Sequence, residues 1–122
     1  LAQTTEWKFV LGGKVLQCTT SARGQAEHHQ DVGIVSYDAS RKNFVYRAFH
    51  SEGFMNRYVA RISPDKRTIV FETEAIENGP PGLKAMETLK CKGDALETTL
   101  ELASGDRPYQ LCVHAQLKRG AT

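Results

Sequence analysis

The feature that most constrains the fold is a series of short apolar runs separated by turn residues, clearest from Phe44 to Thr73. Turn residues at 51–53 (Ser-Glu-Gly) and 63–67 (Ser-Pro-Asp-Lys-Arg) divide this stretch into runs that suit β-strands. The spacing of the turns leaves no room for a helix. We therefore predict a β-meander over this part of the chain.

Trial hairpin registers for the meander agree on which side chains share a face. A three-residue loop at 51–53 places Tyr46 opposite Tyr58, and a four-residue loop starting at Ser63 places Tyr58 opposite Phe71. The shared face then consists of Phe44, Tyr46, Ala48, His50, Phe54, Asn56, Tyr58, Ala60, Ile62, Ile69, Phe71 and Thr73. The opposite face, which includes Val45, is a mixed surface on which Arg57 and Glu72 are predicted cross-strand partners.

The remaining segments also predict strands. Residues 7–21 suit one long strand bent at Gly12 and Gly13, with a hairpin at the two glycines as the alternative. Residues 26–37 form a strand whose polar first half is expected at a sheet rim. Residues 109–118 alternate most regularly, and a hairpin there would place Leu102 opposite Leu111 and Leu100 opposite Val113.

About eight strands joined by short hairpins, with no helical period, predict an all-β fold. A meander with one apolar face is most simply buried by closing into an antiparallel up-and-down β-barrel. A β-sandwich is the alternative, since alternation alone does not distinguish the two.

Composition limits the classes of function. The chain has 122 residues, the size of one domain, and 25% charged residues, which is ordinary for a globular protein. Its net charge of +2 comes from scattered Lys and Arg, so we expect no nucleic-acid partner. We also expect no membrane partner, since no run of about 20 apolar residues occurs. Three cysteines at unrelated spacings predict small buried hydrophobes rather than disulfides. Since neither a signal peptide nor a transmembrane run is recognised, we expect a cytoplasmic protein.

Three segments carry a resemblance to a known family. The strand at 7–16 contains Leu-Gly-Gly, Gly33 is followed by a Tyr-Asp turn at 37–38, and residues 51–53 form Ser-x-Gly. This combination resembles the bacterial lipocalin-like domains of unknown function in the calycin group. The resemblance implies a single lipocalin-like barrel over residues 1–122. Because the family's early Gly-x-Trp strand is absent, it also implies a missing first strand, or pairing with another subunit as a homodimer.

Six side chains on the shared face are the predicted ligand-binding site. They combine aromatic rings with hydroxyl, amide and imidazole groups, the usual composition of a small-molecule pocket. The alternative is a filled core in which these groups satisfy one another. The six residues are Tyr46, His50, Asn56, Tyr58, Phe71 and Thr73.

No catalytic or metal motif stands out. His28 and His29 are adjacent on a strand and point to opposite faces, which argues against a shared metal site. We therefore predict no catalytic residues, no metal and no cofactor. The leading hypothesis is a barrel that binds a small apolar molecule. The alternatives are a cyclase or isomerase with His50 or Tyr58 as proton donor, and a structural module with a filled interior that self-associates.

Overall fold

A computed structural model describes residues 2–23 and 28–118 of the chain. Over these residues it contains nine β-strands and no helix. The strands are β1 (Ala2–Val10), β2 (Val15–Arg23), β3 (His28–Asp38), β4 (Asn43–His50), β5 (Met55–Ile62), β6 (Thr68–Glu77), β7 (Leu83–Lys92), β8 (Ala95–Ser104) and β9 (Gln110–Lys118).

Each strand pairs with its neighbours in sequence, in the order β1 to β9. The pairings of β1 to β5 and of β6 to β9 are all antiparallel. This order is that of up-and-down barrels and lacks the Greek-key connections of most sandwiches. The predicted all-β, antiparallel up-and-down fold class is therefore confirmed. Among the described residues no helix has the length and apolarity needed to cross a membrane.

The chain packs as two compact units. The first contains Leu1–Val59 and Glu74–Gly79, and the second contains Ala60–Thr73 and Pro80–Thr122. Buried side chains of the first unit are Cys18, Val45, Tyr46, Ala48, Met55, Asn56 and Tyr58. Those of the second unit are Ala60, Phe71, Ala85, Leu89 and Ala103.

The glycine pair near the start of the chain forms a hairpin turn, so the predicted bent strand over residues 7–21 is wrong. Val10 pairs with Val15, and the chain reverses over the four residues between them. Leu11, Gly12 and Gly13 have φ values of 53°, 69° and 83°, which the two glycines adopt without steric cost. The reversal creates two strands where one was predicted, and β1 extends back to Ala2.

One of the two trial registers is confirmed and the other is displaced. Tyr46 pairs with Tyr58 as predicted. In the next hairpin the amide of Ser63 donates a hydrogen bond to the carbonyl of Thr68 (2.9 Å), so the loop spans 64–67 rather than 63–66. This register differs from the predicted one by two residues. Because the displacement is even, every side chain keeps its predicted face.

The opposite face of the meander differs from its prediction in two respects. Arg57 pairs with Glu74 (Nε to Oε1, 2.7 Å) rather than with Glu72, which lies 3.7 Å from Arg61 instead. Val45, predicted on a mixed surface, is only 1% exposed, and β3 and β5 flank its strand on both sides. This face therefore contributes to the core as well.

The last hairpin of the second unit contains a bulge. Leu100 pairs with Val113 as predicted, but the register then shifts and Glu101 pairs with Leu111. The extra residue in β9 reverses the alternation beyond that point, and Leu111 is 63% exposed. The predicted pairing of Leu102 with Leu111 is therefore wrong.

The cysteines also depart from their prediction as buried hydrophobes. All three are free thiols, but only Cys18 is buried, whereas Cys91 and Cys112 are exposed.

The ion pairs of Glu74 generate a stability prediction. Its carboxylate accepts hydrogen bonds from Arg41 (2.6 Å) and Arg57 (2.7 Å), which lower the pKa of Glu74. A lowered pKa stabilises the fold above the unfolded value of about 4.3, and this contribution is lost as pH falls through the folded value. We expect Glu74→Gln to lower the free energy of unfolding at pH 7 by at most about 1 kcal/mol, and by less at pH 4.

Urea unfolding at both pH values measures the effect. Glu77→Gln is the matched control, since Glu77 ends the same strand and has no ion pair with a described residue. An equal loss of stability in both variants at pH 7 would contradict the prediction.

Candidate functional site

Strand registers in the first unit bring one row of side chains onto a single face of the sheet. Trp7 pairs with Cys18, Cys18 with Gly33, Gly33 with Ala48, and Ala48 with Asn56. Residues an even number of positions away share this face because side chains alternate along a strand. We call this surface the aromatic face and define it by Trp7, Tyr46, His50, Asn56 and Tyr58.

Aromatic rings form its centre. Tyr46 and Tyr58 stack with their ring centroids 5.2 Å apart and an angle of 19° between the ring planes. Trp7 lies against Tyr46 at a centroid distance of 6.3 Å. Both tyrosines are almost fully buried, and the three rings form a packed row in which Tyr46 contacts both Trp7 and Tyr58.

Gly33 makes room for one of these rings. The Tyr46 ring lies directly over the Gly33 backbone, where a Cβ atom would overlap ring carbons and the hydroxyl. Glycine at this strand position therefore allows a side chain to approach the backbone closely and has no role in a turn.

Several buried polar atoms on the aromatic face lack a hydrogen-bond partner among the described residues. Asn56 donates a hydrogen bond through Nδ2 to the Tyr58 hydroxyl (3.0 Å), but its carboxamide oxygen has no partner. The same is true of Trp7 Nε1 and of both ring nitrogens of His50. Within the described residues these are all the buried side-chain N and O atoms without a hydrogen bond. Buried polar atoms are normally paired, so their concentration on one face requires an explanation.

A cluster of histidines and carboxylates lies at one end of this face. Asp31 pairs with His50 across β3 and β4, and His29 lies two residues earlier on the same side of β3. His29 Nδ1 is 2.7 Å from Glu52 Oε2, and His29 Nε2 is 3.0 Å from Asp31 Oδ2. The two imidazole rings are 5.4 Å apart. We call His29, Asp31, His50 and Glu52 the histidine cluster.

The loop between β4 and β5 positions Glu52 in this cluster. The Ser51 amide donates to the carbonyl of Gln30 (2.8 Å), and the Gln30 amide donates to the Ser51 hydroxyl (3.0 Å). These two bonds tie the loop to β3. Gly53 completes the turn with a φ of 101°, a conformation that suits glycine.

The two histidines titrate in opposite directions. Burial lowers the pKa of His29, but hydrogen bonds with Glu52 and Asp31 outweigh it, so the net pKa is raised. Burial lowers the pKa of His50, and the charge of Asp31 opposes this only in part. The hydrogen bond from His29 lowers the pKa of Glu52. At neutral pH the cluster therefore favours a neutral His50 beside a hydrogen-bonded His29–Glu52 pair.

The structure brings four of the six predicted site residues together in the first unit: Tyr46, His50, Asn56 and Tyr58. The other two belong to the second unit. There Phe71 is buried, and the Thr73 hydroxyl accepts a hydrogen bond from the Ala85 amide (3.0 Å).

Four residues of the site carry no signal in the sequence pattern that marks them as candidates: Trp7, His29, Asp31 and Glu52. A trial register for β3 against β4 would have found two of them, since Asp31 opposite His50 places His29 on the same face. Only the hydrogen-bonded loop shows that Glu52 belongs with them.

A separate groove of about 360 Å³ is open to solvent and lined mainly by polar residues of β1, β2 and β3. Most of its lining side chains alternate with those of the aromatic face and so lie on the other side of the sheet. These are Thr4, Glu6, Thr19, Ser21, Gln30 and Val32, whereas the lining residues Thr20 and Asp31 belong to the same side as the aromatic face. Its lining residues include no aromatic side chain, in contrast to the aromatic face.

Comparison with known proteins gives no match to a family model and no significant match to a curated protein. The aromatic face and the histidine cluster are therefore the features that bear on function.

The contact between Gly33 and Tyr46 generates a second prediction. We expect Gly33→Ala to reduce the free energy of unfolding by about 1–3 kcal/mol, because the added methyl group displaces a buried, stacked ring. In a Tyr46→Leu background the same substitution should cost far less, since the clash is gone.

A double-mutant cycle measured by urea unfolding tests this coupling. Equal effects of Gly33→Ala in the two backgrounds would show that Tyr46 is not the group that requires glycine.

Proposed function

We propose that this protein binds a small, largely apolar ligand that carries at least one polar group, through the aromatic face of a lipocalin-like β-barrel domain. The observation that carries the proposal is the group of unpaired buried polar atoms beside stacked aromatic rings. Small-molecule sites combine these features, with an apolar surface for affinity and a few polar groups for orientation.

The unpaired atoms also determine which hydrogen-bonding groups the ligand needs. Trp7 Nε1 is a donor only, and the carboxamide oxygen of Asn56 is an acceptor only. A hydroxyl group satisfies either one, because it both donates and accepts. Leaving a buried polar atom unpaired costs about 1–3 kcal/mol, so a ligand that supplies the partner recovers part of that free energy on binding.

A filled core explains the stacked rings but not the polar atoms. In a filled core with all hydrogen bonds made, both the nitrogen and the oxygen of the Asn56 amide would have partners. Here only Nδ2 has one. The cyclase or isomerase hypothesis receives less support. The lowered pKa of His50 leaves this residue mostly neutral at pH 7, which makes it a poor reservoir of protons.

Cellular location and assembly belong to the same proposal. The three cysteines are free thiols, which suits the reducing cytoplasm that we propose as its compartment. We retain self-association into a homodimer as the alternative function suggested by the sequence.

A matched pair of probes tests ligand binding. Naphthalene has only apolar surface, and 1-naphthol adds one hydroxyl group that can donate a hydrogen bond to the carboxamide oxygen of Asn56. We expect 1:1 binding of 1-naphthol with a change in the emission of Trp7, the single tryptophan of the chain. We expect 1-naphthol to bind about 2–10-fold more tightly than naphthalene, which is the usual contribution of one hydrogen bond to affinity.

Asn56→Leu should remove the preference for 1-naphthol while retaining affinity for naphthalene. Tyr37→Ser is the control, because Tyr37 and Phe44 form an exposed ring pair at the end of the same face opposite His50, where a probe could bind non-specifically. Titration calorimetry and Trp7 emission provide the affinities. The proposal would be refuted if neither probe bound. It would also be refuted if Tyr37→Ser lost the preference for 1-naphthol to the same extent as Asn56→Leu.

A further inference from the structure

We propose that His29, His50 and Glu52 form a binding site for a divalent transition-metal ion, with Zn²⁺ as the ion that this ligand set suits best. The inference does not depend on the ligand proposal. Two imidazoles and one carboxylate form a ligand set found in catalytic zinc sites, whereas Mg²⁺ and Ca²⁺ prefer oxygen ligands alone.

The distances fit an ion with little rearrangement. One potential ligand atom from each of the three residues lies within 4.8 Å of the others. Zinc bonds of about 2.0–2.1 Å in tetrahedral geometry place neighbouring ligand atoms about 3.3 Å apart. Glu52 lies in a loop with about half of its side chain exposed (52%), so it can make the required movement by rotating its side chain.

Asp31 supplies the outer partner that metal-binding histidines usually have. It accepts a hydrogen bond from His29 Nε2 at 3.0 Å, which leaves His29 Nδ1 directed at Glu52. A carboxylate on the far nitrogen fixes the tautomer and the ring orientation of a metal ligand. On metal binding the proton shared between Nδ1 and Glu52 leaves to solvent, and both atoms become available to the ion.

His50 provides the second, independent observation. Both of its ring nitrogens are buried without a hydrogen-bond partner among the described residues, and Nδ1 remains 3.9 Å from Asp31. Its ring is held against Phe54, with centroids 4.1 Å apart and planes at 15°. An oriented imidazole without a partner is costly unless something binds it, and a metal ion provides that partner.

Three protein ligands leave a coordination position open on a tetrahedral ion. Catalytic zinc sites use this arrangement to hold a water molecule or a substrate atom, whereas structural zinc sites are closed by four protein ligands. The open position lets the ion take up water or an anionic group. The site is thus expected to bind an exchangeable ion with a vacant position rather than to lock the fold.

Titration of the metal-free protein with Zn²⁺, Co²⁺ and Mg²⁺ tests the proposal. Calorimetry should show one site for Zn²⁺ and no binding of Mg²⁺. Co²⁺ should produce visible absorption bands of a low-symmetry site. Absence of a 1:1 zinc complex would overturn the proposal and leave the four residues as a hydrogen-bonded cluster only.

Variants locate the site. Glu52→Gln and His29→Gln should weaken Zn²⁺ binding by more than about 10-fold. Removal of a residue that only hydrogen-bonds to a metal ligand already weakens metal binding by about 10-fold or more. Glu52 is exposed, so its variant should fold normally, as circular dichroism can verify. His114→Gln is the matched control, since His114 also contacts a carboxylate, Glu97, at 3.3 Å. Equal weakening in His114→Gln would show that the ion binds elsewhere.

The two proposals fail independently. Asn56→Leu should leave Zn²⁺ affinity unchanged, and Glu52→Gln should leave 1-naphthol affinity unchanged. Loss of zinc binding in the Asn56 variant would show that the metal site is not confined to the histidine cluster.

Discussion

The antiparallel register of β3, β4 and β5 is the constraint on which the rest of the first unit depends. It places Tyr46 opposite Tyr58 and Asp31 opposite His50, so rings collect at the centre of one face and titratable groups at its end. A one-residue displacement in either pairing would transfer these side chains to the other face. The candidate site is thus a consequence of backbone hydrogen bonding, which hairpin loops of fixed length determine.

Unpaired buried polar atoms reduce the stability of this face. Replacing the Asn56 amide by an apolar group would remove an unsatisfied acceptor. Natural proteins retain such costs where a site requires them. The histidine cluster shows the same principle, because His50 holds two buried nitrogens that nothing in the described chain satisfies.

Most of the fold was predictable because period-two alternation and turn residues are local signals. They predicted the meander, the shared face and the pairing of Tyr46 with Tyr58. These signals failed at two places. Gly12 and Gly13 are compatible with either a bend or a turn. The bulge beside Glu101 adds one residue to β9 without a sequence signal. The displaced β5–β6 register preserved each face, since the error was even.

The sequence by itself determined most of the strands, the aromatic face and its candidates Tyr46, Asn56 and Tyr58, because alternation along a strand depends only on nearest neighbours. Tertiary structure alone decided that Trp7 joins that face, that Val45 is buried on the other, and that His29 meets Glu52. These contacts join residues far apart in the chain. They depend on registers and loop bonds that form between strands, which no pattern within a single strand encodes.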